Sequence, residues 1–304
     1  MPRPAALLLA LTGALLPGCS STPEKAPDKL AGLQFEPYQP EPPRSPLFTG
    51  ELILACEQHL RVWNAAMNQQ RSEKNAEAIQ FTERALAILV QRERARLENQ
   101  AVSGPPQNRG VASAALAFSG DSKVLPLILN NLKDPDRKVR ANALLGIGVL
   151  ADRDTPLAPI YEALSGPEVS DAVVANGAFA ALQLARVLQE DPSGNLSSIL
   201  GPMLTSSRAA IRAQAATGLG LIRASHLLPK LNVLVLADPD PSVRTAAAFA
   251  LGEIGALGSA DPLIQALEDK DKITAGTARG ALAKIFGTDH GPDPDSWREA
   301  QKKG

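Results

Sequence analysis

The sequence predicts an all-helical (all-α) protein, most of which is a solenoid of repeated helix pairs. Three observations predict this class. Aromatic residues make up 4% of the 304 residues and Ala and Leu dominate the apolar positions, which favours closely packed helices over a β-sandwich. Residues 51–100 contain neither Gly nor Pro. Further along, a Val-Arg or Ile-Arg pair recurs at Val139, Ile211 and Val243, and a repeat of roughly 30–40 residues is typical of a helical solenoid.

Residues 1–18 have the pattern of an export signal. A short basic start precedes an apolar stretch (AALLLALTGALL), which is shorter than the roughly 20 apolar residues that span a bilayer. The next residues, LPGC, end at Cys19 and resemble the lipobox of bacterial lipoproteins. This resemblance implies cleavage after Gly18 and lipidation of Cys19. The alternative is an ordinary cysteine at the end of an ordinary signal peptide.

Residues 19–49 are rich in Ser, Pro and charged residues. Such a segment cannot bury enough apolar surface to fold, so we expect a disordered, Pro-rich tether. Several acyl chains anchor a protein stably to a membrane. A tether that joins such a lipid anchor to a folded domain is the expected layout of a lipoprotein of the cell envelope. Ser20 stands where lipoproteins retained in the inner membrane carry Asp. The lipoprotein resemblance therefore implies the outer membrane.

Residues 50–102 predict a helical hairpin. Apolar residues recur there at helical spacing on two stripes, separated by the polar stretch QRSEKN. The first stripe comprises Leu52, Cys56, Leu60, Trp63 and Met67, and the second comprises Ile79, Leu86, Leu89 and Val90. The stretch SGPPQNRG, residues 103–110, then indicates a break before the repeats.

Residues 109–287 carry the repeats, and DPDPSVRTAAAFALGEIGALGSADPLIQALED is similar almost position by position to the short HEAT-like repeats named after phycobilisome lyases. The resemblance implies a right-handed α-solenoid of HEAT-like helix pairs. Two Asp-Pro pairs, at Asp240 and Asp261, predict helix starts with an N-cap followed by a first-turn proline. A longer unit aligns on Val173 or Val174, and the last unit aligns on Ala275.

Two further features complete the predicted solenoid. Arg140, Arg212 and Arg244 recur at one register, where the HEAT-like resemblance implies pairing with nearby acidic residues and hence a structural ladder. Residues 288–304 leave the repeat and predict a C-terminal cap in which Trp297 packs over the last unit, because solenoid ends need covering.

The sequence offers no catalytic motif, so we predict no catalytic residue, metal or cofactor. The three histidines, His59, His226 and His290, are far apart in sequence. DPDPS begins like a calcium loop, but Val243 and Phe249 stand where that loop needs Gly and Glu. Two cysteines exclude a disulfide framework. With 31 basic and 32 acidic residues, no net field attracts nucleic acid.

These observations favour a lipid-anchored, non-catalytic scaffold or adaptor that binds protein partners in the envelope through the solenoid. The alternative is an envelope enzyme, or a lyase-like chaperone that handles a small ligand in the solenoid groove. The HEAT-like resemblance implies that the second helix of each pair lines the concave face. The candidate partner contacts there are Asn130, Asn131, Lys133, Glu162, Lys230, Asn232, Gln265 and Glu268. The sequence leaves the oligomeric state open.

Overall fold

The computed structural model of the protein describes residues 47–69, 72–166 and 169–303. These residues are helical, with no strand among them, as predicted. The chain from Leu47 onward forms one compact unit. Its helices are α1 (Thr49–Met67), α2 (Glu73–Ser103), α3 (Pro106–Leu116), α4 (Leu125–Asn130), α5 (Arg137–Leu150), α6 (Ala158–Ser165), α7 (Asp171–Leu188), α8 (Asn195–Met203), α9 (Ala209–Leu221), α10 (Leu228–Ala237), α11 (Pro241–Ile254), α12 (Ala260–Ala266), α13 (Lys272–Phe286) and α14 (Pro294–Lys303).

The predicted hairpin is formed by α1 and α2, which pack against each other. Ser72 caps α2 by accepting a hydrogen bond from the backbone N–H of Asn75 at 3.2 Å. Most members of the two predicted stripes are buried or packed against the core. Met67 is the exception, because its side chain is 42% exposed. It lies at the last turn of α1, past the end of the buried stripe.

The hairpin joins the solenoid with almost no break. α2 ends at Ser103 and α3 already begins at Pro106, three residues before the predicted start of the repeats. Both α1 and α2 pack on α3, so the hairpin and the repeats share one core. Prolines 105 and 106 open α3 rather than separating two domains, since proline is tolerated in the first turn of a helix.

The repeats form two layers. The first helices of the pairs (α3, α5, α7, α9, α11 and α13) pack consecutively on one another, whereas the second helices (α4, α6, α8, α10 and α12) have few contacts among themselves. Small residues allow the first helices to approach closely. A Cβ on Gly220 would lie 2.5 Å from the Cα of Ala250, and one on Gly252 would lie 2.8 Å from the Cα of Ala281. The first-helix layer is therefore the more tightly spaced one.

Aspartates start several of the first helices. Asp240 caps α11 by accepting from the backbone N–H of Ser242 at 2.8 Å, with Pro241 at the first position, as predicted. Asp261 is different, because α12 begins one residue earlier, at Ala260. Its carboxylate instead accepts a hydrogen bond from Gln301 of α14 at 3.0 Å.

In α5, α7, α9, α11 and α13 the residue that aligns the repeats is buried and lies three residues after the N-cap. In α7 the N-cap is Ser170 and the buried anchor is Val173 rather than Val174. In α13 the N-cap is Asp271, so the anchor is the fully buried Thr274 and the predicted register at Ala275 is wrong by one residue.

The C-terminal helix α14 packs on α12. Trp297 is fully buried, and its indole Nε1 donates a hydrogen bond to the carbonyl of Gly291 at 2.7 Å. Its ring lies against Phe286 and His290, with centroid separations of 5.7 and 4.9 Å. This arrangement covers the exposed end of the last repeat with an aromatic cluster.

In the described part of the chain, one helix is long and apolar enough to cross a membrane by those criteria alone. This helix, α7, packs between α5 and α9 within the first-helix layer. Its hydrophobicity is accounted for by that central position in the core.

Candidate functional site

A groove of about 600 Å³ opens on the first-helix layer. We call it the first-helix groove, and its walls come from the last turns of α1 and from the N-terminal halves of α5, α7 and α9. The tightly spaced layer of a solenoid is the inner one, so this groove occupies the face that repeat proteins use for extended partners.

Aromatic side chains form one end of the groove. The Trp63 ring meets Phe118 and Phe179 edge to face, with centroids 5.6 and 5.9 Å apart. The indole Nε1 of Trp63 donates to the Glu83 carboxylate at 3.0 Å, which satisfies its polar atom. Phe179 reaches Trp63 by crossing Gly148 of α5, where an added Cβ would lie 2.5 Å from the phenyl ring. A glycine in α5 thus makes room for the aromatic end.

A row of side-chain amides crosses the groove. One amide lies on each of three consecutive first helices, six residues after the N-cap in every case. The row consists of Asn142 on α5, Asn176 on α7 and Gln214 on α9.

The members of this amide row differ in how they are held. Asn176 donates to the carbonyl of Ala141 at 2.8 Å, which ties α7 to α5. Asn142 leans over α3, since a Cβ on Gly110 would lie 2.8 Å from its Nδ2. The side-chain amides of Asn142 and Gln214 make no hydrogen bond to described residues, so each has a donor and an acceptor available for a ligand.

Two cations flank the amide row on the side of the helix N-termini. Lys138 lies in the first turn of α5, and Arg208 is the N-cap residue of α9; both are exposed. Neither forms an ion pair with a described residue, and none of the described residues lining the groove is acidic. Asp171, in the first turn of α7, precedes the lining residue Ala172 and is the acidic neighbour along that helix. The lining groups therefore carry positive charge.

The recurring arginines serve the fold. Each of three arginines reaches the carboxylate of an aspartate in the loop before the next first helix, and their Nε–Oδ2 distances are 2.6–2.7 Å. The pairs are Arg109–Asp134, Arg212–Asp238 and Arg244–Asp269. As predicted, Arg212 and Arg244 pair with acidic residues. Arg140 occupies the same register, and its guanidinium donates to the carbonyl of Asp134 at 2.9 Å. Sequence reasoning missed Arg109.

These pairs change the acidity of their carboxylates. Arg244, hydrogen-bonded to Asp269, holds the pKa of that carboxyl below its ordinary value. Burial opposes this effect at Asp238, but hydrogen bonds from Arg212 and from the backbone of Asp240 outweigh burial and lower the pKa. The carboxylates that resembled a calcium loop are thus engaged by arginine and backbone donors. Among described residues, no cluster of three His, Cys, Asp or Glu side chains could hold a metal ion.

The predicted partner contacts lie on or beside the second helices, away from the first-helix groove. Six of these residues are exposed, and their role as partner contacts stays a prediction: Asn130, Lys133, Glu162, Lys230, Gln265 and Glu268. Lys133 and Glu162 share a separate cavity of about 490 Å³ between the turn after α4 and α6. The side chain of Asn232 is half-buried, and its Oδ1 has no hydrogen-bond partner.

Asn131 is not available to a partner. It is 3% exposed, and its Nδ2 donates to the carbonyl of Ala101 at 2.9 Å and to Ser113 Oγ at 2.6 Å. Asn131 therefore links α2, α3 and the turn after α4, and its assignment as a contact residue is wrong for that reason.

The two cysteines have separate positions. Cys19, the predicted lipidation residue, lies outside the described residues, as do the predicted signal peptide and most of the predicted tether. Cys56 is fully buried in α1, and burial raises the pKa of its thiol to about 12. A thiol in this environment stays protonated and unreactive.

Sequence reasoning missed the first-helix groove because the prediction assigned the binding face to the second helices. A signal was present: Asn142, Asn176 and Gln214 recur at one register in adjacent units, where neighbouring positions of the same helices are mostly alanine. Polar residues repeated at a lining register indicate a surface, whereas the buried positions of these helices carry Gly and the apolar residues Ala, Leu, Ile and Val.

Comparison with known proteins supports the repeat architecture. A family model described as HEAT repeats matches residues 197–283, and one described as HEAT repeat matches residues 124–153. The chain therefore contains HEAT repeats. No curated protein matches the sequence.

Among solved structures, Kap121p has a similar fold. Kap121p is 13% identical with a TM-score of 0.58, over 79% of this chain and 29% of Kap121p. The archaeal HEAT-like repeats protein from Thermococcus onnurineus NA1 is 17% identical with a TM-score of 0.48, over 80% and 99%. The complex of CpcE and CpcF of phycocyanin lyase from Nostoc sp. PCC7120 is 18% identical with a TM-score of 0.38, over 88% and 99%. The chain thus spans less than a third of Kap121p, and at 13% identity the likeness to Kap121p shows the fold alone.

Proposed function

We propose that the chain is a non-catalytic scaffold of the bacterial cell envelope, attached to the outer membrane through lipidated Cys19, and that it binds a protein partner in the first-helix groove. The observation that carries this proposal is the groove itself, built on a HEAT-repeat solenoid from aromatic, amide and basic side chains. Partner binding by a related fold is seen in Kap121p, which has been crystallised bound to Pho4p.

The chemistry of the groove supports binding rather than catalysis. Its described lining offers two cations and several amides, and the cations lie on α5 and α9, two helices apart. General acid–base catalysis needs titratable groups that converge on one reacting atom. The envelope enzyme and the lyase-like chaperone are therefore the weaker alternatives, and nucleic acid is not among the proposed partners.

A photo-crosslinking amino acid introduced into the full chain tests partner binding in the bacterium that produces it. Positions Asn142 and Gln214 sample the groove, Lys230 samples the second-helix layer, and the exposed Lys123, in the turn before α4, is a control outside the groove lining. We expect the same protein adduct from the two groove positions and none from Lys123. Adducts from Lys230 alone would move the binding face to the second helices, and no adduct at any position would contradict the scaffold function.

Metabolic labelling with a palmitate analogue tests the anchor. We expect label on the wild-type chain and none on the Cys19→Ala variant. An unlabelled wild-type chain, or undiminished label on the variant, would contradict lipidation at Cys19.

A further inference from the structure

The first-helix groove has three parallel rows of side chains. The row nearest the helix N-termini carries the cations Lys138 and Arg208, and the middle row carries the amides. The third row is apolar: Leu145 and Phe179 each lie three residues after an amide, on the same helix face. The amide row and the apolar row are formed by equivalent residues of successive helices, so they run along the solenoid rather than along any one helix. The two cations lie beside the amide row at non-equivalent positions, in the first turn of α5 and at the N-cap of α9, and Asp171 begins α7 between them.

The middle row suits a peptide backbone. A carboxamide has donors and an acceptor, so Asn142 and Gln214 can each pair with the N–H and C=O groups of an extended chain. Packed helices are spaced by about 10 Å, and an extended chain advances about 3.3 Å per residue, so each repeat corresponds to about three peptide residues. The amide row thus matches an extended segment of about six to eight residues.

The cations and the apolar row, on either side of the amide row, determine which side chains the bound segment should carry. Successive side chains of an extended chain point to opposite sides, so one set faces the cations and the alternate set faces the apolar row. Lys138 and Arg208 form no ion pair with described residues, and the groove lining they belong to contains no acidic residue. In the apolar row Leu145 is buried and Phe179 is half-buried, and Met67 of α1, elsewhere in the groove lining, is 42% exposed, so Phe179 and Met67 can contact a ligand.

We propose that the first-helix groove binds an extended acidic segment of the partner protein, in which Asp or Glu residues alternate with apolar residues. This inference rests on the proposed scaffold function and specifies its partner. The carboxylates lie against Lys138 and Arg208, the amides of Asn142 and Gln214 bind the backbone, and the apolar side chains lie against Phe179 and Met67.

Selection from a displayed library of random peptides of about twelve residues, with the purified full chain as target, tests this inference. The expected binders carry alternating acidic and apolar residues over about six positions. In a fluorescence anisotropy assay with a selected peptide, the Lys138→Glu/Arg208→Glu variant should bind at least tenfold more weakly, and added salt should weaken wild-type binding. Asn142→Ala/Gln214→Ala should also weaken binding. Asn176 is left unchanged because it links α7 to α5.

The matched control reverses two exposed cations of the second-helix layer, Lys133→Glu/Lys230→Glu, and circular dichroism shows that each variant is folded. This control should bind like the wild type. Peptides without acidic enrichment, affinity lost only in the control variant, or no selected peptide at all would each overturn the acidic-segment inference. The crosslinking experiment distinguishes that failure from failure of the scaffold function, because groove adducts would then still form.

Discussion

Arg244 of α11 and Asp269, in the loop before α13, meet through two hydrogen bonds of 2.6 and 2.9 Å. The same guanidinium donates to the carbonyl of Asp238, whose carboxylate holds Arg212 of the preceding unit. Asp269 in turn accepts the backbone N–H of Asp271, the N-cap of α13. One ion pair thus links the end of one repeat to the start of the next.

Removing one partner of this buried pair should be costly. The side chains of Arg244 and Asp269 are 6% and 10% exposed, so Asp269→Asn leaves a guanidinium buried without its counter-charge. We expect a loss of about 3 kcal/mol in the free energy of unfolding, measured by urea denaturation. Asp289→Asn is the matched control, because the Arg279–Asp289 pair is 43% and 46% exposed and should contribute far less. Equal losses of unfolding free energy in the two variants would contradict the inference that burial makes the Arg244–Asp269 pair the more important one for stability.

The same pair predicts how stability depends on pH. The pKa of Asp269 is lowered in the folded state, so its contribution is present above about pH 4, the ordinary value, and is lost as the pH falls through the lower folded value. The thermal midpoint of the wild type should therefore drop as the pH is lowered below about 4. Asp269→Asn should show a shallower drop. Parallel curves for the two proteins would be inconsistent with this linkage.

Because the first helices approach closely, replacing either of two glycines with alanine should lower the free energy of unfolding. Gly252→Ala should destabilise the protein by about 1–3 kcal/mol, because the new methyl group would lie 2.8 Å from the Cα of Ala281. Gly280→Ala on α13 is the control, since nothing lies within 4 Å of its Cβ position. That change should stabilise by up to about 1 kcal/mol through helix propensity. Urea denaturation gives both values, and Gly220→Ala should behave like Gly252→Ala.

Burial should make Cys56 chemically silent. Because the pKa of its thiol is raised to about 12, almost no thiolate is present at about pH 8. In a Cys19→Ser background Cys56 is the only thiol of the chain. Its reaction with iodoacetamide should be undetectable in the folded protein and rapid in urea. Fast labelling without denaturant would show that α1 opens in the folded state.

The aromatic cluster at the C-terminus should hold the last repeat. Trp297→Ala removes a fully buried ring, a change that costs about 3–5 kcal/mol in cores. Contacts in a solenoid are between neighbours, so hydrogen exchange should rise in α13 and α14 and stay unchanged in α1 and α2. His290→Ala, at an exposed ring beside Trp297, should have little effect on exchange.

The fold could be predicted from local sequence patterns, whereas contacts between residues far apart in sequence could not. Val139, Ile211 and Val243 were identifiable because a buried anchor recurs with the repeat, and all three are buried. Asn131 was misassigned because its partners, the carbonyl of Ala101 and the hydroxyl of Ser113, lie 30 and 18 residues away in sequence. The first-helix groove was missed for a related reason. Which layer packs more tightly depends on glycine and alanine contacts between helices that periodicity does not reveal.

The difference between the two layers has a mechanical consequence. Backbone-level contacts such as that of Gly220 with Ala250 leave the first helices no room to slide, whereas the second helices have few contacts with one another. The array should therefore bend about its first-helix layer. The spacing between the second helices should increase or decrease as the curvature changes, while the spacing between the first helices stays constant. A ligand lying along the first-helix layer would meet the same spacing of side chains at every curvature of the array.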